Sequence, residues 1–275
     1  MSDLLKNIEK LNSTLAKELP RSLPELEELI DNTTGGYFGN IPEFIVEKIP
    51  ENKSKEDFLR VFDDFIENIN KGYLDIAKEN LNTFFENNIV FDFERKLYQG
   101  RYIKFGVVIS NNVCEDKLFV KYFNNDYKTI HFLYYQCGPY VEPSVAFFVN
   151  SHLDNFNNFS KFYFANAKKF YMVSEYVHKV YDYSLDRTFQ RCQREVVRRI
   201  SEMPNHYEIS DYIAEGFATL THEKVDHYKI LQEMSNERFS FLDITRENFI
   251  ICEDKLGQKH CKMIDYGQIL NISEN

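Results

Sequence analysis

Phe239-Ser240-Phe241-Leu242-Asp243-Ile244-Thr245-Arg246-Glu247-Asn248-Phe249-Ile250-Ile251, followed by Met263-Ile264-Asp265-Tyr266-Gly267, is the stretch on which the reading of this chain turns. It sets an Asp, an Asn five positions later, a β-type apolar run, and a second Asp behind an apolar pair. Metal-dependent phosphoryl transfer needs polar groups in that order. One carboxylate orients an acceptor hydroxyl, while an amide and a second carboxylate hold Mg²⁺ against phosphates. Taken singly, Asp243 and Asn248 also read as turn formers, and Asp265-Tyr266-Gly267 as an ordinary turn. What separates the two readings is whether the upstream chain supplies the other parts in sequence.

Upstream of this stretch, short β-rich runs separated by polar turns predict five strands, Lys96–Tyr98, Tyr102–Ser110, Lys117–Phe123, Lys161–Ala165 and Phe170–Val177, in an antiparallel sheet. Between the third and fourth, Val141–Asn155 carries Val145, Phe147, Phe148 and His152 at spacings that permit one helix. Past residue 180, Ser184–Ile200 and Ile209–Met234 are candidate helices, and the segment from Phe239 to Leu270 returns to a β-like texture. The first 90 residues read differently. Leu4, Ile8, Leu11, Leu15 and Leu19 form one helical stripe, a second helical stretch follows, and Phe58–Phe85 repeats the helical period with a break near Lys71-Gly72. The glycine-rich Asn32–Asn40 lacks the Lys-Ser/Thr of a phosphate loop and is expected to be a turn.

With Asp243, Asn248 and Asp265 downstream of five strands and one interrupting helix, the chain resembles the protein-kinase-like superfamily, whose motifs read His-Arg-Asp-x-x-x-x-Asn and Asp-Phe-Gly. The resemblance implies an α+β, bilobal fold: a five-stranded antiparallel N-lobe sheet with a helix C, about 91–178, and a reduced helical C-lobe, about 179–275, behind a helical region 1–90. It also implies ATP and Mg²⁺. Residue by residue, Asp243 takes the catalytic-base position, and Asn248 and Asp265 take the metal positions. Lys121, in the third strand, takes the phosphate position, and Glu142, in the helix that follows, becomes its ion-pair partner, although Pro143 sets that glutamate in the first turn. Tyr171–Val177 resembles the strand and hinge whose main chain binds adenine, through Glu175 to Val177. Gly100–Val107 lies where the glycine-rich loop belongs, giving Gly100 and Val107 nucleotide contacts, with Tyr102 and Phe105 standing at glycine positions. Phe241-Leu242 replaces His-Arg, which points to an enzyme without activation-loop control.

Only Gln268–Asn275 follow Gly267, so neither an activation segment nor a large helical substrate lobe is expected. This layout is similar to the short kinase-like effectors that pathogenic bacteria inject into host cells, the OspG and NleH type, which share the Asp-x-Thr-x-x-Asn loop seen here as Asp243–Asn248. That implies a Ser/Thr protein kinase acting in host cytosol on a protein partner, with ubiquitin-conjugating machinery among the candidates. A viral origin fits equally well. Two other readings stay open: a pseudokinase that uses the fold to grip a partner, which the missing glycines favour, and a small-molecule phosphotransferase.

Composition bounds these readings. Within 275 residues, 33 basic and 43 acidic side chains leave a net charge of −10, against the basic field of non-specific nucleic-acid binding. Apolar residues make up 43% of the chain, with 25 Phe and 18 Tyr, enough for a real core. No apolar run is long enough to span a bilayer, and Met1–Lys6 lacks a Sec-type signal, so a soluble, cytoplasmic protein is expected. The 5 cysteines include no CxxC pair, and Cys252, His260 and Cys261 match no zinc spacing. One local exception to the acidity is Arg187, Arg191, Arg194 and Arg198, which share a helical face and suit an acidic partner, though a solvated face reads as well.

Overall fold

A computed structural model describes residues 2–17, 34–97, 103–123, 141–152, 160–179, 239–241, 249–253, 257, 259–264 and 269–271. The expected helices at Ser184–Ile200 and Ile209–Met234 lie outside the described residues.

Helix α1 (Asp3–Leu15) starts at Ser2, whose hydroxyl accepts from the Leu5 amide, and buries Ile8, Leu11, Asn12 and Leu15. A one-turn helix, α2 (Glu43–Val46), follows strand β1 (Tyr37–Gly39). Helix α3 (Lys55–Lys71) opens with a capping box: the Ser54 hydroxyl accepts from the Asp57 amide at 3.1 Å, and the Asp57 carboxylate accepts from the Ser54 amide at 2.9 Å. Its Phe58, Leu59, Phe62, Phe65, Ile66 and Ile69 fall on one buried stripe. The break predicted at Lys71-Gly72 is a left-handed cap at Gly72, φ +86°, with the Gly72 amide on Ile69 O and the Tyr73 amide on Asn68 O. Helix α4 (Leu74–Phe84) then begins.

All five predicted strands are present, with shifted ends: β2 (Phe91–Leu97), β3 (Ile103–Asn111), β4 (Leu118–Phe123), β5 (Phe162–Asn166) and β6 (Tyr171–Glu175). The interrupting helix, α5 (Val141–His152), connects β4 to β5. The sheet nevertheless has six strands, in the antiparallel order β1-β5-β6-β4-β3-β2. The extra one, Tyr37–Gly39, falls within Asn32–Asn40, which is expected to be a turn. After a turn at Thr34–Gly36, β1 pairs with β5 and is gripped by Asn12, whose amide nitrogen donates to Gly39 O at 3.0 Å and whose oxygen accepts from Gly39 N at 2.8 Å.

Strand pairing sorts the side chains onto two faces. Phe105, Val107, Ile109, Leu118, Val120, Tyr122, Phe164, Tyr171 and Val173 share one core with the buried stripes of α3 and α4. Helices α3 and α4 thus cover one face of the sheet. On the other face α5 docks through Phe147, whose ring meets Phe38 and Phe162 at 6.5 and 6.0 Å, while Asn150 accepts from the Phe162 amide.

The helix-covered face also holds a buried polar knot. Asp63 of α3 accepts from the Tyr171 hydroxyl at 2.7 Å, from the Tyr37 hydroxyl, and from the Asn166 side-chain amide at 3.2 Å. These bonds tie α3 to β1, β5 and β6. Burial pushes the Asp63 carboxyl above its ordinary value against the pull of its three donors. Burial, together with the Asp63 charge, holds both tyrosine hydroxyls well above theirs.

The described residues form two units. The first holds everything up to Tyr176 except Ser160, and the second holds Ser160, Val177–Lys179 and four short strands. Those four, β7 (Phe239–Phe241), β8 (Phe249–Glu253), β9 (Lys259–Met263) and β10 (Ile269–Asn271), make two antiparallel ribbons, β8 with β9 and β7 with β10. Among the described residues, no helix is long and apolar enough to cross a membrane.

Candidate functional site

Lys121 lies on β4, opposite Gly106 of β3 and Met172 of β6. Val120 and Tyr122, its neighbours along the strand, belong to the core under α3 and α4, so Lys121 projects from the other face, the one that carries α5. It is only 4% exposed. A buried ammonium is an expensive group to keep inside a sheet and is retained where an anion or acceptor meets it. Across β3, Gly106 also pairs with Lys96 of β2, so the row runs Lys96, Gly106, Lys121, Met172. Two lysines on one face, about 10 Å apart across two strand spacings, are separated by a residue with no side chain.

That parity sets Val107 apart from Lys121. Val107 is fully buried in the core beneath the helices, paired with Val120, and faces away from Lys121. The β3 residues on Lys121's face are Gly106 and Val108. Phe105, expected at a glycine position, is a core residue stacked on Tyr122 at 4.6 Å. A slip of one residue moves every side chain of a strand to the opposite face.

Glu142 lies in the first turn of α5, on the element expected to carry it; its side chain is outside the described residues, as is Gly100. Glu175 ends β6, with its amide donating to Lys161 O and its carboxylate accepting from the Lys161 amide at 3.1 Å. Tyr176 follows, its amide on Lys117 O at 2.9 Å, and Val177 after it is buried.

Asp243, Asn248 and Asp265 lie outside the described residues, but the chain on either side of them is fixed. Residues 242–248 join β7 to β8, and residues 264–268 join β9 to β10. Phe249 pairs with Met263 at one end, and Phe241 pairs with Ile269 at the other. Asn248 is thus one residue, and Asp265 two residues, from the same rung, Phe249↔Met263. Both connections also share their far rung. Nothing in the local sequence marks this pairing, because the partners are distant along the chain. Arg187, Arg191, Arg194 and Arg198 lie outside the described residues as well.

A cavity of about 220 Å³ lies elsewhere, lined by Asp63, Ile66, Glu67, Asn70, Lys71, Tyr122 and Lys168–Phe170. It belongs to the α3 side of the sheet, and of its lining residues Glu67 pairs with Lys71 at 2.7 Å and with Lys169 at 3.6 Å. It does not include Lys121. Among the described residues, no three His, Cys, Asp or Glu side chains cluster as a metal site.

No family model matches the chain, and no curated protein matches it. Among solved structures, choline kinase LicA from Streptococcus pneumoniae is similar at a TM-score of 0.35 and 14% identity, over 72% of this chain and 70% of that one. A likeness that faint carries no argument about function.

Proposed function

We propose that this chain is an ATP- and Mg²⁺-dependent phosphotransferase of the protein-kinase-like kind, acting on a Ser or Thr hydroxyl of a protein. The observation that carries the reading is the pair of ribbons: the segments bearing Asn248 and Asp265 leave one rung, Phe249↔Met263, and both connections return to a second, Phe241↔Ile269. A carboxylate and an amide are the oxygen donors that suit Mg²⁺. The sheet adds support, with Lys121 on the strand face away from α3 and α4, the interrupting helix on that same face, and a glycine beside the lysine.

In this reading Lys121, steadied by Glu142, holds the nucleotide phosphates. Gly106 and Val108, in place of Val107, form the floor beneath the nucleotide, with Gly100 at the start of the loop, and main-chain groups of Glu175 to Val177 hold adenine. Asn248 and Asp265 hold Mg²⁺, which when bound spreads the charge developing on the transferred group. Asp243 orients the acceptor hydroxyl and takes its proton. Positioning and charge neutralisation carry most of the rate in such chemistry. The acceptor is a host protein, and an acidic surface on it suits the arginine face at Arg187–Arg198. A second reading, a pseudokinase that binds a partner without transfer, draws on the glycine-poor connection between β2 and β3.

Transfer of label from γ-labelled ATP to the protein itself and to a host-cell lysate separates the two. The enzyme reading expects label with the wild type and none with Asp265→Ala. Equal label from both proteins removes it, and Mg²⁺-ATP binding without label favours the pseudokinase.

A further inference from the structure

Tyr176 is the residue between Glu175 and Val177, and its half-buried ring does not point away from the sheet. It lies 6.2 Å from the ring of Phe119, the β4 residue two before Lys121 and on the same face. On its other side Lys96 of β2 sets its ammonium 5.0 Å from the Tyr176 ring centroid and donates to the Tyr176 hydroxyl at 3.2 Å. Phe119 and Lys96 belong to strands on opposite sides of β3, where they pair with Val108 and Gly106. A ring that touches both lies across β3, over the floor that those two residues provide.

We infer that Tyr176, fastened by Lys96, is a latch over the base-binding floor, and that a purine nucleotide enters only when the ring swings out. The inference rests on the nucleotide reading above and adds its regulation. The fastening is of the reversible kind. One cation–π contact and one neutral-acceptor hydrogen bond at a half-exposed site are each weak, so an open state is populated at the level of several per cent or more. A ligand that binds only the open state then shows an apparent affinity reduced by the open fraction. Purely structural packing at this place would need no ammonium. Whatever other contacts Lys96 makes, its link to Tyr176 ties the edge strand β2 to the segment after β6, two elements that nothing else joins in strand pairing.

The test is displacement of trinitrophenyl-ATP by ATP with Mg²⁺, on the full chain, for the wild type, Tyr176→Ala, Tyr176→Phe, Lys96→Gln and Lys121→Met, each with its far-UV spectrum checked. Tyr176→Ala is expected to bind ATP about tenfold tighter than the wild type. Lys96→Gln, which keeps the ring and loses the cation–π contact, and Tyr176→Phe, which keeps the ring and loses the hydrogen bond, should show smaller gains in the same direction. Equal or weaker binding by Tyr176→Ala overturns the latch, and weaker binding would make the ring a stacking platform instead. If that happens while Lys121→Met abolishes binding, the nucleotide reading survives alone. If no protein in the set binds ATP, the nucleotide reading fails and the latch with it.

Discussion

On one face of the sheet Phe105, Val107, Leu118, Val120, Tyr171 and Val173 pack under two amphipathic helices, while the same strands turn Gly106, Val108, Phe119, Lys121 and Ser174 to the other. The first face packs against α3 and α4, where the half-buried Asp63 carboxylate meets three donors. The second is covered by α5 near β1 and β5, and it carries the lysines. A strand buried on both sides must settle two environments at once, and on the proposed reading the division is between stability and chemistry. Substitutions under α3 and α4 should cost folding and leave ligand binding per folded molecule intact. Substitutions on the other face should do the reverse.

The sharpest break of that division is Lys121→Met. Phosphoryl transfer should fall at least about 100-fold, while thermal unfolding shifts little because Met is of similar length and removes a buried charge. A large loss of stability with activity retained would make Lys121 a structural residue. On the helix-covered face, Phe62 is 1% exposed and meets the rings of Phe58, Phe65, Phe164 and Tyr171. Phe62→Ala should cost about 3–5 kcal/mol in urea unfolding, with ATP affinity of the folded fraction unchanged.

Gly39→Ala comes next. At φ +88° an added Cβ would lie 2.3 Å from Tyr163 O, so β1 must shift off β5. A loss of at least about 2 kcal/mol is expected, against about 1 kcal/mol for Gly72→Ala, where φ is +86° but nothing lies within 4 Å. Equal losses would show that β1 is a loose appendage to the sheet.

The smallest effect is a pH dependence. Tyr37 and Tyr171 keep their protons in the folded state beyond the ordinary tyrosine range because burial disfavours the phenolate. Their contribution is fully present below about pH 10, the unfolded value, and is lost as the pH rises from there, since the unfolded chain releases those protons first. Stability measured from pH 8 to 11 should therefore decline, and Tyr171→Phe should flatten the decline. An unchanged slope would mean the knot around Asp63 opens before the chain unfolds.

Much of this arrangement is legible in the sequence, and the exceptions have physical reasons. Helix α3, its glycine cap and the succession of five strands follow from local periodicity and turn chemistry, which each segment carries within itself. Strand β1 does not, because three residues behind a double glycine show no period, and pairing with β5 is what makes them a strand. The face of Val107 is not legible because Phe105 to Ile109 are all buried, so alternation does not say which side is which, and a bulge between Ile103 and Phe105 shifts the count. Gly106-Val107-Val108 holds the signal, as a Gly-x-Val step in phase with Lys121. The candidate metal residues are marked in the sequence only by their order along the chain. The shared rung between their segments is a non-local pairing that no window of sequence contains.

The measurement that bears most directly on the account is the Mg²⁺ dependence of ATP affinity in the wild type and in Asp265→Asn. On the proposed reading, Mg²⁺ should tighten ATP binding by about tenfold or more in the wild type. The same titration on Asp265→Asn should be nearly flat. An ATP affinity indifferent to Mg²⁺ in the wild type, or tightened equally in both proteins, would contradict it.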